Sequence, residues 1–275
     1  MQHIPPHIIP HRVQYDCIEA LNYSGSKEIL KSPAHYRQYM TADREATKAL
    51  RVGSYVHALV LDKPKAETAF AVAPVVDRRT KDGKAAYEAF TAALQPGTTV
   101  LSADEAEESL KIAAAALGCI DRHGFKFKAT EFMFMTTFMD ANIKAAIDAV
   151  GESDGYLYDL KTCEDASPAG FLKAAGRWGF RYNLQANFYK AAYTAGFKEH
   201  VQGFRFICVE KETLQTAVYE LGPDVMAYGY SDFVKAVETY KACLASNDWP
   251  GYSQEIQTLD LNKAPTDAPA PITFA

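Results

Sequence analysis

Residues 143–161 read IKAAIDAVGESDGYLYDLK, an apolar run ending on Asp148 and a second run closing on Asp159-Leu160-Lys161. If the two runs pair as strands, Asp148 and Asp159 sit side by side. Side chains alternate along a strand with a period of two, so Asp159 and Lys161 share one face while Leu160 points into the core. Two carboxylates are the oxygen ligands that a hard divalent cation needs, and such a cation neutralises charge on a phosphodiester leaving group. An ammonium on the same face would serve the attacking water, either as general base or as the group that holds it. Glu131, at the opening of an earlier strand, reaches the same edge as a further ligand or through water. Asp148 lies in Ala-Ile-Asp-Ala-Val at the end of a core strand, where an unpaired carboxylate is costly unless it binds something. Asp154, in the Ser-Asp-Gly turn between the runs, is a competing carboxylate, although turn chemistry alone accounts for it. The pairing of Asp148 with Asp159 depends on strand register, which the sequence leaves open.

The elements that must position these groups follow from hydrophobic periodicity. Residues 129–139, 142–150 and 155–162 are β-type runs separated by Asp/Asn and Gly turns, and three in succession predict a meander. A helix over 183–195 follows, then strands from 203 and from 215. Pro223, just after Gly222, opens a last helix to about residue 245. Upstream, residues 24–40 predict a short helix capped by Ser24 or Ser26 and a second one entered after Ser32-Pro33. Apolar positions at 49, 52, 56, 59 and 60 make a helical face, with His57 at its margin. Residues 64–100 read as irregular. Ser102 and Glu105 form a capping box, and the helix they open is expected to end near Gly118.

The histidines at 3, 7 and 11 have helical spacing, but Pro5, Pro6 and Pro10 forbid that helix, so the first residues read as an arm. The resulting division is an N-terminal arm (1–22), one catalytic domain (23–260) and a flexible Pro/Ala-rich tail (261–275). Within the domain, a helical region covers about 23–120 and the catalytic core about 121–250.

With 275 residues, 48% of them hydrophobic, the chain can bury the core of one large domain. A net charge of -5 excludes a global basic field, so any polyanion must bind at a local patch. The five cysteines, at 17, 119, 163, 208 and 243, make no CxxC pair or finger spacing and read as reduced, mostly buried thiols. The absence of a leader pattern and of any long apolar run leads us to expect a soluble, cytoplasmic protein with no membrane partner.

Two cationic strips are candidates for DNA contact. Residues 173–181, KAAGRWGFR, carry Lys173, Arg177 and Arg181 interleaved with Trp178 and Phe180, a composition suited to phosphate contact and base stacking. Gly176 and Gly179 argue for a loop there, and a solvated loop with its aromatics in the core fits the composition equally well. Arg78, Arg79, Lys81 and Lys84 form a weaker strip, since basic runs are usually solvated faces.

Taken in order, these segments resemble the PD-(D/E)XK nuclease superfamily, and within it the prophage exonuclease VIII (RecE-like) type. SGSKEILKSPAHYRQYM is similar to that type's opening, and LRVGSYVHALVLDKP to its Gly-x-x-x-His helix. Glu131 matches the acidic residue of the first strand, Asp148 the central Asp, and Asp159-Leu160-Lys161 the (D/E)XK element, with Asp in place of the commoner Glu. YNLQANFYKAAY matches the following helix, with Gln185 and Tyr189 one turn apart. The resemblance covers roughly residues 24–250. It implies an α/β (α+β) restriction-endonuclease-like core, a mixed central sheet flanked by helices with a helical N-terminal elaboration.

For function, the resemblance implies a Mg²⁺-dependent exodeoxyribonuclease, with Mn²⁺ as a substitute, acting processively on linear duplex DNA. It would resect 5′ to 3′ from double-stranded ends for phage-type recombination by strand annealing. The implied catalytic set is Lys161, Asp159, Asp148, Glu131, Gln185 and Tyr189. The implied metal ligands are Asp148, Asp159, His57, Glu131 and the backbone carbonyl of Leu160. The implied partners are a single-strand annealing protein and further copies of the chain in a ring-like trimer or tetramer. A CRISPR- or helicase-associated nuclease of the superfamily would hold an iron–sulfur cluster through four cysteines, a spacing absent here. A catalytically silent DNA- or partner-binding module would lack a carboxylate or the lysine, and all are present.

Overall fold

The computed structural model describes residues 6–42, 46–176 and 179–256. The chain begins with β1 (His7–Ile8), α1 (Arg12–Cys17), α2 (Tyr23–Ile29), α3 (Pro33–Thr41) and α4 (Lys48–Leu61). Next come α5 (Lys63–Thr68), β2 (Phe70–Val72), α6 (Lys81–Ala92), β3 (Thr99–Leu101) and α7 (Ala103–His123). The strands β4 (Phe127–Phe138), β5 (Ala141–Gly151) and β6 (Tyr156–Cys163) lead to α8 (Pro168–Ala175) and α9 (Tyr182–Phe197). Then β7 (Gly203–Glu210), β8 (Thr216–Tyr219) and α10 (Pro223–Ser246) complete the fold.

The main sheet is mixed and runs β1-β4-β5-β6-β7-β8. As the turn residues predict, β4, β5 and β6 form an antiparallel meander. The α8–α9 connection then returns the chain so that β7 lies parallel to β6, and β8 closes antiparallel to β7. Both faces are covered, which is why β7, GFRFICVE, reads as nearly continuous apolar sequence. One face packs on α2, α9 and α10 through Leu157, Phe188, Phe206 and Phe233. The other packs on α4 and α7 through Val52, Val56, Ile112, Tyr158 and Leu160. Phe188 and Phe233 meet edge to face at 5.2 Å with no exposure, and burying each ring contributes about 1.5–3 kcal/mol.

Some elements depart from the sequence expectation. The capping box of Ser102 and Glu105 forms, but α7 runs through Gly118 to Gly124, whose left-handed φ of 65° makes the true stop. A mid-helix glycine costs only about 1 kcal/mol, which the buried Ile112, Ala116 and Cys119 offset. Residues 64–100 are not irregular: Asp62 caps α5, Thr80 caps α6, and the three-residue strands β2 and β3 pair in parallel. Lys173 lies on α8, capped by Ser167 and entered through Pro168, rather than in a loop. The arm is folded too, since β1 pairs with β4 at Met135 and Phe134 and α1 follows it. Its Nζ donating to the carbonyls of Tyr15 at 2.6 Å and Ile18 at 2.8 Å, buried Lys144 of β5 anchors the end of α1. His3 and the 261–275 tail lie outside the described residues. Among the described residues no helix is long and apolar enough to cross a membrane.

Candidate active site

Three carboxylates fall on one row across three strands. Ala149 opposes Tyr158 and Val150 opposes Leu157, and the same register one residue on sets Asp148 against Asp159. On the other side of β5, Phe132 opposes Ile147 and Thr130 opposes Ala149, leaving Glu131 against Asp148. The sheet is open at this row. Glu131 has a left-handed φ of 46°, a conformation that L-residues adopt at a cost, and its rung is missing from the ladder. Along β5 the alternation slips at the same place: Ile143, Ala145 and Ile147 face the α9 core, but Ala149 faces the α7 core. Asp148 accepts the Leu160 amide at 2.8 Å in place of a strand-to-strand bond.

The helices bring the other groups to this opening. His57 of α4 places Nδ1 3.4 Å from Asp148 Oδ2. Thr130 donates to the Leu61 carbonyl at 2.7 Å, tying the end of α4 to the strand beside Glu131. Across the sheet, Gln185 of α9 donates to Asp159 Oδ1 at 2.6 Å, and Tyr189 one turn on lines the same cleft. Lys161 Nζ sits 2.5 Å from Asp159 Oδ2 in an ion pair whose angles fall short of a hydrogen bond, and 4.7 Å from the centroid of the Tyr182 ring. His57, Glu131, Asp148, Asp159, Lys161, Tyr182, Gln185 and Tyr189 all line one open cleft of about 990 Å³.

The electrostatics divide the acidic groups. Burial, then the negative charge of Asp159, pushes the Asp148 carboxyl up to about 7, against the opposing pull of His57 and Lys161. Burial disfavours the charge of Lys161, but Asp159 and Asp148 together outweigh it and hold the ammonium above its ordinary value. Without a cation, therefore, Lys161 is a charged donor and not a base. Burial also raises the Tyr189 phenol well above its usual range, which keeps it a hydrogen-bond donor.

The sequence matches the PDDEXK-like domain of unknown function (DUF3799) over residues 22–262. The chain belongs to this family. No curated protein matches it. Among solved structures it is similar to a "Putative exonuclease" from Eubacterium rectale, with 12% identity and a TM-score of 0.54. That likeness covers 91% of this chain and 94% of the other, and at such identity it speaks for the fold alone.

In this PDDEXK-like chain the donor set fits a hard divalent cation. His57, Glu131 and Asp148 offer ligand atoms that all lie within 4.8 Å of one another. The raised Asp148 carboxyl marks a place where a cation would relieve charge repulsion. Asp159, expected among the ligands, stands next to that group, with Lys161 Nζ and Gln185 Nε2 beside its oxygens. Leu160 meets Asp148 through its amide at 2.8 Å.

The expected DNA contacts are only partly at the cleft of the PDDEXK-like fold. Lys173 is exposed and lines it. Arg181 is committed to Asp232 of α10 at 3.0 Å, and its backbone is left-handed with φ 59°. Arg78 packs over the Tyr87 ring, Arg79 pairs with Asp77, and neither lines the cleft. Arg177 and Trp178 lie outside the described residues. Two site residues escaped the sequence reading: Lys65 of α5, 3.2 Å from Glu131 Oε2, and Tyr182, whose ring faces Lys161. Lys65 was findable, because Asp62-Lys63-Pro64 is a helix start.

Proposed function

We propose that the protein is a Mg²⁺-dependent exodeoxyribonuclease that hydrolyses phosphodiester bonds at the ends of linear double-stranded DNA. One observation carries this reading: Glu131, Asp148 and Asp159 form one row at the floor of a cleft that also holds His57 and Lys161. Glu131, Asp148 and His57 would hold the cation, with Asp159 and the Leu160 carbonyl completing the set. When bound, a divalent cation neutralises charge on the scissile phosphate and lowers the pKa of the attacking water. Lys161, held charged by Asp159, donates to and positions that water or a phosphate oxygen. Gln185 fixes Asp159 so that the ammonium keeps its place, and the Tyr189 phenol supplies a further donor in the cleft. Mn²⁺ would substitute because it accepts the same oxygen and imidazole ligands.

Membership of the PDDEXK-like family and the fold shared with a protein named as an exonuclease support the reading. The motif order further supports 5′-to-3′ resection for recombination by strand annealing, with a single-strand annealing protein as partner and a ring-like trimer or tetramer as the working form. The test compares linear with covalently closed duplex DNA, in Mg²⁺ or with chelator, and 5′-phosphate with 5′-hydroxyl ends. The expected result is Mg²⁺-dependent loss of the linear form alone. Attack on closed circles would sink the exonuclease reading. Asp148→Ala and Lys161→Ala, each checked for an intact fold, should lower turnover by on the order of 10²–10³-fold; wild-type rates would overturn these roles.

A further inference from the structure

Four aromatic rings form a near-parallel column that leads from the core to the cleft. Tyr219 of β8 stacks on Phe171 of α8 at 4.7 Å and 17°. Phe171 continues onto Tyr182 at 5.6 Å and 26°, and Tyr182 onto Phe180 at 5.6 Å and 18°. Phe180 is the end ring. It lines the cleft and is 62% exposed, although Phe171, on the far side of Tyr182, is only 2% exposed. An exposed phenyl ring gains nothing from water, and this one is held in place. The Phe180 amide donates to the Ala174 carbonyl at 2.7 Å, and its carbonyl accepts from Tyr23 Oη at 2.6 Å. Gly179 before it packs so closely that a Cβ would come within 2.4 Å of the Lys173 carbonyl. The column also touches the chemistry, because Tyr182, the ring under Phe180, carries Lys161 Nζ at 4.7 Å from its centroid.

We infer that Phe180 is a stacking platform for an unpaired nucleobase, so that the strand end bound in the cleft is single-stranded or frayed at that position. The inference rests on the nuclease reading above and adds a base-binding subsite to it. Planar stacking at 18–26° is the geometry in which one more aromatic plane extends the column. Every base offers a π-face, so the subsite discriminates unpaired from paired bases and not one base from another. A base inside a duplex already has stacked neighbours on both sides and cannot add itself to the column, and a terminal pair has only its one outer face free. The neighbouring charges suit the adjoining backbone: Lys173 stands exposed at the same cleft.

The test uses the full-length protein without divalent cation and single-stranded oligonucleotides carrying 2-aminopurine at each of the terminal positions in turn. Wild type should quench the fluorescence at one position. An abasic site there should weaken binding about tenfold, as stacking on one ring generally does. Phe180→Leu should weaken binding by a similar factor and make the abasic site nearly neutral, because the two changes remove the same contact. Phe180→Trp should preserve both quenching and affinity. The inference fails if Phe180→Leu binds and quenches like wild type while wild type still cleaves linear DNA; the nuclease reading then stands. If wild type binds no oligonucleotide and cleaves no DNA, both fail together.

Discussion

Asp148 occupies a position that disfavours its own charge. Its carboxyl sits at the floor of the cleft beside Asp159, and burial and that neighbour raise its pKa from 3.8 to about 7. The unfolded chain titrates near the ordinary value, so between about pH 4 and 7 the folded protein binds more protons. Stability therefore falls as pH rises through that window and stays low above it. A cation between Asp148, Glu131 and His57 would remove the penalty, so Mg²⁺ should raise the Tm little at pH 5.5 and increasingly up to pH 8. Asp148→Asn keeps an oxygen for the Leu160 amide but no charge. We expect it to raise the metal-free Tm at pH 8 by at least about 3 °C and to abolish the Mg²⁺ effect, as read by scanning calorimetry. A lower Tm for the variant at pH 8 would show that the carboxylate is stabilised, not strained, in the metal-free fold.

At the scale of elements, β5 does more than carry Asp148. Its Lys144 is 2% exposed and donates to carbonyls at the end of α1, with the Tyr15 ring 4.7 Å away. Burial lowers its pKa, and the carbonyls are the compensation that keeps an ammonium there tolerable. Lys144→Met preserves much of the apolar volume but takes the donor from the Ile18 carbonyl and leaves the Tyr15 carbonyl with the Ile18 amide alone, at about 1–3 kcal/mol for an acceptor left unpaired. Urea unfolding should therefore show a lower midpoint, and hydrogen exchange should show α1 opening ahead of the sheet. A midpoint equal to wild type would mean that water satisfies the carbonyls. The folded arm was not legible because its proline pattern excludes a long helix but says nothing of a two-residue strand pairing with β4. Likewise α5 was hidden within a stretch of mixed composition, although its cap and proline were in plain view.

For the whole molecule, an acidic chain of net -5 brings few cations to the cleft, and Glu131, Asp148, Asp159, Glu164 and Asp165 line it beside them. Arg12, Lys65, Lys161, Lys173 and Lys211 line it, and all but Lys173 already have acidic partners among the described residues. Few phosphates can be neutralised at such a surface. The logarithm of DNA affinity should fall with that of salt at a slope of magnitude about 2–4 for the isolated chain, since each phosphate contact contributes about 0.9 on duplex DNA. Fluorescence anisotropy across 50–300 mM KCl would measure it, and a slope near 8 would require a binding surface outside the cleft.

What the sequence determined by itself was local and periodic. Strand alternation put Asp159 and Lys161 on one face and Leu160 on the other, and the structure has them so, because a period of two needs no partner strand. The meander and its order followed from turn residues, and the capping box of α7 from three residues of spacing. Tertiary structure alone decided which carboxylates meet. The row of Glu131, Asp148 and Asp159 depends on the register of two strand pairs, and the face of Asp148 on a slip in β5 where Glu131 turns left-handed. Neither has a signature within its own strand. The same holds for the partners of Asp159, which meets Lys161 and Gln185 beside the His57, Glu131 and Asp148 group. Pairing across a sheet is a property of several segments at once, so only the folded chain fixes it.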